Sequence, residues 1–133
     1  MNKILLISIV AAICTGIAGI LHLNMLPAFN TQMTILFLVG GLAQIFWIIP
    51  TVKNWGKIWD YIGIVGTIAF VLIWVITRIP ENPITGRAGM VGDTAIAIEV
   101  FQIAFIVLLG LLVAMKSKKQ IENYQIFHVM IYD

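Results

Sequence analysis

Residues 74–99 read WVITRIPENPITGRAGMVGDTAIAIE, and this stretch decides how the rest of the chain is interpreted. It contains both arginines of the chain, Arg78 and Arg87, and three of its six acidic residues, Glu81, Asp93 and Glu99. Prolines and glycines separate these charges, whereas the sequence on either side is apolar. The stretch therefore predicts an ordered polar loop, with tight turns at its glycines, between two hydrophobic helices.

The composition of the 133 residues predicts a membrane protein. The chain is 61% hydrophobic and 11% charged, and its mean hydropathy is +1.03, whereas soluble domains carry roughly 25% charged residues. The net charge of +2 is small, and the lysines lie at the ends of apolar runs, which favours lipid headgroups over nucleic acid as their partner. The single cysteine, Cys14, excludes a disulfide framework and is interpreted as a buried apolar side chain.

Four apolar segments are long enough to cross a hydrocarbon core of ~30 Å at about 1.5 Å per residue. We predict spans at 4–23, 33–49, 61–77 and 94–115, so the fold class is an all-α, four-transmembrane-helix bundle. Pro50 is expected to end the second span because proline has no backbone N–H to donate. Residues 1–115 are the predicted membrane domain, and 116–133 are a basic, amphipathic tail.

Small and polar residues mark the helix faces that are expected to pack inward. On the first span these are Thr15, Ala18, Gly19 and His22. On the second span Gln44 follows the pair Gly40 and Gly41, and its amide is expected to bond across the gap that the glycines leave. The third span has a predicted inward stripe of Gly63, Gly66, Phe70, Trp74 and Thr77.

The connections and the tail carry the remaining polar residues. Residues 24–32, which include Pro27 and Asn30, are a predicted turn. In 51–60 lysines alternate with tryptophans, a mixture typical of the headgroup layer, so we predict interface anchors at Lys53, Lys57, Trp55 and Trp59. In the tail Ile126, Val129 and Met130 share a helical face, which indicates either an interfacial segment or a partner-docking strip. His128 is interpreted as an interface side chain.

The distribution of basic residues predicts the topology, because loops rich in Lys and Arg stay in the cytoplasm. With four spans both termini lie on one side of the cell membrane, together with all six lysines, whereas the opposite side has only the two arginines. We therefore predict cytoplasmic termini, with loops 24–32 and 79–92 outside.

Glu99 requires an explanation, because a carboxylate within a span is costly and needs a partner. The registers of the helices predict that it converges with four other polar residues in the outer half of the bundle: His22, Gln44, Arg78 and Gln102. The favoured interpretation is an ion pair of Glu99 with Arg78 or Arg87 that holds the loop over the bundle. The alternatives are a proton-relay or polar-ligand site with His22, and a Glu99–His22 metal site with a weak ligand set. Asp93 is the predicted N-cap of the fourth span.

Candidate functions follow from what the sequence contains. It shows no nucleophile–base–acid set, no His/Cys cluster and no cofactor fingerprint, so we predict no catalytic residues, no metal site and no cofactor. We expect a non-catalytic accessory subunit of a larger membrane complex, with the bilayer and other membrane subunits as partners. The alternative is a small oligomeric transporter, or a ligand- or ion-binding membrane protein that uses the polar residues around Glu99.

One pattern resembles a known group of proteins. His22-Leu23, the VITR of residues 75–78, Pro83, Gly86, Gly89, Gly92-Asp93 and Glu99 resemble a family of uncharacterised small four-helix membrane proteins. In overall character the sequence is also similar to accessory membrane subunits of archaeal ammonia monooxygenase. The second resemblance implies a helper without the copper site, because two distant histidines cannot supply one. The first implies no known activity.

Overall fold

The computed structural model describes residues 2–26 and 31–132, and it is all-α. Four helices follow one another along the chain: α1 (Lys3–Asn24), α2 (Thr31–Val52), α3 (Lys57–Ile76) and α4 (Asp93–Tyr132). Each of them is long and apolar enough to cross a membrane, as predicted from composition. The predicted turn at Pro27 and Asn30 lies outside the described residues.

The helix bounds correct one prediction, that Pro50 ends the second helix, and they show that two other helices extend beyond the predicted spans. α2 continues through the buried Pro50 to Val52. Pro50 lacks the N–H for one backbone hydrogen bond, and the helix ends two residues later. α3 begins at Lys57, so Trp59 and Asp60 are helical. α4 does not end at Met115 but includes the tail as one 40-residue helix, roughly 60 Å long at 1.5 Å per residue.

α1 lies between α2 and α4, and α3 packs mainly against α4. The predicted inward stripe of α1 is buried in full. At the crossing of α1 and α2 a Cβ built on Gly19 would lie 2.9 Å from the carbonyl oxygen of Gly41, so the two backbones are in direct contact. The glycines therefore set this helix spacing, in agreement with the sequence interpretation.

The inward stripe of α3 differs from the predicted one at a single position. Gly63 is buried against Trp47 and Leu109, but Gly66 is exposed, and no described atom lies within 4 Å of a Cβ built there. Thr67 is the buried residue instead, and its hydroxyl donates to the carbonyl of Gly63 at 2.8 Å. This hydrogen bond satisfies the hydroxyl within the helix, so a polar residue can occupy the inward face.

The two ends of the bundle differ in chemistry. At the loop end, residues 77–92 connect α3 to α4, and the His22 ring lies near Phe37 and Phe70. At the tail end α4 leaves the bundle, and Lys116 forms an ion pair with Asp60 at 2.5 Å. Between them lies the apolar plug, a cluster of five buried residues: Ala11, Cys14, Phe105, Leu109 and Leu112.

Candidate functional site at the loop end

A cavity of about 40 Å³ lies between the four helices at the loop end. His22 comes from α1, Phe37 from α2, Trp74 from α3 and Glu99 from α4, and Arg78 follows α3. The structure thus brings three of the predicted polar residues into the cavity wall, His22, Arg78 and Glu99, and the side chain of Gln44 lies within hydrogen-bonding reach of His22. We call this space the Glu99 cavity.

Glu99 is 8% exposed, and its atom Oε2 makes no hydrogen bond with any described residue. The prediction that Glu99 forms an ion pair with an arginine is wrong, because no arginine nitrogen lies within 4.0 Å of its carboxylate. The ion pair that the structure shows between described residues of the bundle, Lys116–Asp60, involves neither Glu99 nor an arginine. Arg78 is nevertheless the cation that shares the cavity with Glu99, whereas Arg87 is exposed. Glu99 is therefore a buried carboxylate in the wall of a cavity, with a nearby charge and one buried oxygen that has no described hydrogen-bond partner.

Arg78 is held by its aromatic and backbone neighbours. Its guanidinium carbon lies 5.0 Å from the centre of the Trp74 ring, a cation–π arrangement. It also packs so closely on Gly89 that a Cβ there would overlap it. Burial lowers the pKa of Arg78 below its usual value, and the charge of Glu99 acts in the opposite direction. The electrostatic influence of Glu99 therefore reaches the guanidinium although the two do not touch.

The imidazole of His22 is fixed from two sides. Its Nδ1 lies 3.0 Å from the carbonyl oxygen of Ala18, and a carbonyl only accepts, so Nδ1 carries the proton. The opposite edge of the ring faces Gly40, where a Cβ would lie 3.3 Å from Nε2. Gly40 thus makes room for the imidazole. His22 is a wall of the cavity whose ring cannot turn without breaking its bond to α1.

Two predicted members of the cluster do not line the cavity. Gln44 and Gln102 are 4% and 1% exposed, so both are buried. The side-chain oxygen of Gln44 makes no bond with any described residue, and it is the backbone carbonyl of Gln44 that accepts from the Thr15 hydroxyl at 3.0 Å. Both amide atoms of Gln102, one helical turn beyond Glu99, are likewise without a described partner.

A larger cleft of about 550 Å³ opens directly above the cavity. The two spaces share five lining residues: Met25, Met33, Phe37, Arg78 and Ala95. The remaining walls of this loop-end cleft come from the loop and the start of α4, and include Thr85, Arg87 and Asp93. Asp93 is the first residue of α4 rather than the residue before it, and its side chain is exposed. The carboxylate lies near the positive end of the helix dipole.

The loop is organised by a residue that the sequence interpretation did not select. Asn82 is 4% exposed, its Oδ1 accepts from the amides of Ile84 and Thr85, and its Nδ2 donates to the carbonyls of Ile79 and Arg87. Gly89 then donates to the carbonyl of Thr77 at 2.8 Å, which folds the loop back over the end of α3. The Asn-Pro pair after Glu81 is a turn signal that could have identified this centre.

The predicted headgroup anchors lie at the opposite end of the bundle. Trp55 and Trp59 contact each other with ring centres 4.9 Å apart, and Lys57 donates to Gln120 of α4 at 2.8 Å. Lys53 is exposed and follows the end of α2. The sequence interpretation missed the pairing of Asp60 with Lys116, because nothing local to either residue indicates the other.

No group of three or more His, Cys, Asp or Glu side chains that could hold a metal is found in the part of the chain that the structure describes. The chain matches no model of a known protein family, no curated protein and no solved structure. The resemblances stated from the sequence therefore stay predictions, and the function is argued from the site alone.

Proposed function

We propose that this chain is a membrane protein that binds a small polar ligand or ion in the Glu99 cavity. The observation that carries the proposal is that Glu99 lines a cavity while its buried Oε2 has no described hydrogen-bond partner. A carboxylate that served only to pin the loop would be expected in direct contact with its cation, since breaking or lacking that contact is costly. A buried group that lowers stability and makes no compensating contact is typical of a functional site.

The loop-end cleft supports the same proposal, since it offers a route from the surface to Glu99. Its volume of about 550 Å³ lies within the range of roughly 300–1,000 Å³ that is usual for ligand sites. Two arginines, two threonines and an aspartate line it beside methionines and a phenylalanine. A polar solute would pass between these side chains before it reaches the narrower cavity.

The proposal is tested by ligand-induced stabilisation in lipid nanodiscs. Sodium, zinc, formate and acetamide serve as probes, and the melting temperature is measured for wild type, Glu99→Gln and Glu122→Gln. Glu122 is an exposed residue of the tail, so its substitution is the matched control. We expect a probe to raise the melting temperature of wild type and Glu122→Gln but not of Glu99→Gln. Equal responses of all three proteins would contradict the proposal.

A second candidate, the accessory subunit predicted from the sequence, is favoured by the last part of α4. Beyond the bundle this helix carries a series of apolar side chains that are each more than half exposed: Ile121, Tyr124, Ile126, Phe127, Val129, Met130 and Ile131. Such a surface is typical of helices that dock on a partner. If this part of α4 docks on another subunit, the particle extracted in mild detergent is expected to be much heavier than the 14.8 kDa chain with its bound detergent. The substitution Phe127→Lys is then expected to reduce the mass of the extracted particle. A particle of unchanged small size in both proteins would exclude this role.

For the orientation we propose that the tail end faces the cytoplasm and the loop end faces outward. All six lysines lie at or near the tail end of the chain's helices, and both arginines lie in the loop. The proposal rests on the bias of cytoplasmic loops toward basic residues. Labelling of a cysteine placed at the exposed Ala88 by an impermeant reagent, added to intact cells, tests it.

A further inference from the structure

Three buried polar atoms without a described partner belong to residues that line the same small cavity. They are Oε2 of Glu99, Nε1 of Trp74 and Nε of Arg78. Two of them are N–H donors and the third only accepts while the carboxylate is charged. Leaving each unbonded costs about 1–3 kcal/mol. The occupant that satisfies them must accept hydrogen bonds from the nitrogens and donate one to the carboxylate.

The dimensions of the cavity identify the class of this occupant. About 40 Å³ is available, and one water needs at least roughly 10–15 Å³ on this measure, so about three waters fit. Aromatic rings of Phe37 and Phe70 close the sides. A lipid or a nucleotide is excluded by size. Water both accepts and donates, so it matches the two N–H groups and the carboxylate of residues in the cavity wall, and small shifts of these side chains would bring their buried atoms into reach.

Access to the cavity is expected from the loop end alone. The loop-end cleft lies directly above and shares its lining at Met25, Phe37 and Arg78. On the other side Gln102 is the last polar residue of α4 before the apolar plug, whose α4 members are no more than 1% exposed. Water has no hydrogen-bond partner among these side chains and is not stable there. The ion pair of Asp60 with Lys116 lies beyond the plug.

The groups that face Glu99 determine whether it can take up a proton. The charged neighbour is Arg78, and α1 contributes the titratable ring of His22. From α2 the nearby polar residue is the neutral Gln44, and on α4 itself Asp93 lies at the helix start, toward the cleft. The surroundings of low dielectric favour the neutral form of the carboxyl group, whereas the charge of Arg78, which is not in contact with it, favours the ionised form. A change in its protonation alters no direct ion pair, so it does not require the bundle to rearrange.

We propose that Glu99 is a proton-binding site, reached by internal water from the loop end and insulated from the tail end by the apolar plug. The inference rests on the proposed function and names the ligand as a proton. A proton from the solution at the loop end enters as hydronium and is relayed along the waters of the cavity to the carboxylate of Glu99, which becomes a neutral carboxylic acid. Each water that gives up a proton receives another, so no hydroxide is left, and the proton returns by the same route. Arg78 keeps its charge throughout.

Hydration is tested with a matched pair of cysteines. In a Cys14→Ala background, Ala95→Cys lies in the wall of the cavity and Ala11→Cys lies in the plug, and both alanines are buried. A small water-soluble thiol reagent is expected to modify position 95 at least about tenfold faster than position 11, because the reactive thiolate forms where water reaches it. Equal rates in two folded proteins would overturn the inference.

Protonation is tested by infrared difference spectroscopy between acidic and alkaline buffer. We expect a carboxylic acid carbonyl band that is lost in Glu99→Gln, is kept in Glu122→Gln and shifts in D₂O. Absence of a Glu99-dependent band would overturn the inference. If the band is absent while formate or zinc still raises the melting temperature through Glu99, the proposed function stands and only the proton assignment fails. If both signals are absent, both fail.

Discussion

Replacement of Glu99 by glutamine distinguishes a site from a structural pin. If Glu99 formed a buried ion pair, removal of one partner would reduce the free energy of unfolding by about 3–5 kcal/mol. No ion pair of Glu99 within 4.0 Å exists among the described residues. The attraction to Arg78 is therefore below about 4 kcal/mol, the value for 4 Å at an effective dielectric constant near 20.

The loss of that attraction is offset by a gain. Burying a charged side chain within a span costs about 2.5–3.5 kcal/mol on insertion scales, and the neutral glutamine avoids this cost. We therefore expect Glu99→Gln to lower the free energy of unfolding by no more than about 1.5 kcal/mol, which is the upper limit of the attraction less the smallest burial cost, and to raise it where the attraction is weaker.

The assay is reversible unfolding in mixed micelles of a mild and a denaturing detergent, followed by helical circular dichroism. Glu122→Gln is the control, and its exposed position predicts a change within about 0.5 kcal/mol. A loss of 3 kcal/mol or more in Glu99→Gln alone, in the range of a broken buried pair, would refute the reasoning, because it would mean that Glu99 holds the fold together.

Three further predictions concern the parts of the fold that position the site. Asp60→Asn removes the acid of the buried ion pair between α3 and α4, and we expect it to reduce the free energy of unfolding by about 3 kcal/mol in the same assay. Its control, Lys57→Met, removes the exposed hydrogen bond to Gln120 and is expected to change the free energy of unfolding by less than about 1 kcal/mol. Gly63→Ala places a methyl group against the indole of Trp47, and we expect it to reduce the free energy of unfolding by about 1–3 kcal/mol. Gly66→Ala, one turn away in open space, should leave the free energy of unfolding unchanged or raise it by up to about 1 kcal/mol. Equal effects of the two substitutions would refute the packing argument. Asn82→Ala should increase amide hydrogen exchange in residues 77–92 without changing exchange in the bundle, and unchanged exchange in the loop would show that Asn82 does not order it.

The sequence predicted the number of helices and which residues of α1 face inward, because both depend on local patterns. Length and hydropathy define a span one helix at a time, and small residues at helical spacing mark a contact face whatever the partner is. The bounds were less predictable at Pro50 and Met115. Pro50 weakens the last turn of α2 without ending it at once, so the helix bound falls two residues later. In the tail no proline or glycine follows Met115, so the sequence contains no signal that ends the helix there.

The candidate site was predictable only in part. Helix registers indicated that His22, Arg78 and Glu99 converge at one end, and the structure brings them together around one cavity. The helix registers do not predict that Arg78 packs on Trp74 and Gly89 instead of contacting Glu99. That outcome depends on the path of the loop, which the hydrogen bonds of a buried asparagine determine.

By itself the sequence determined that this protein has four membrane-compatible helices and one polar stretch that returns an acid to an apolar interior. The tertiary structure alone decided that the acid lines a small cavity, that Asp60 and Lys116 pair across 56 positions of the chain, and that an apolar plug separates the two. The physical reason is the range of the interactions concerned. Hydrophobicity and helix propensity are properties of neighbouring residues, whereas charge pairing and cavities depend on distances between helices that are remote in sequence.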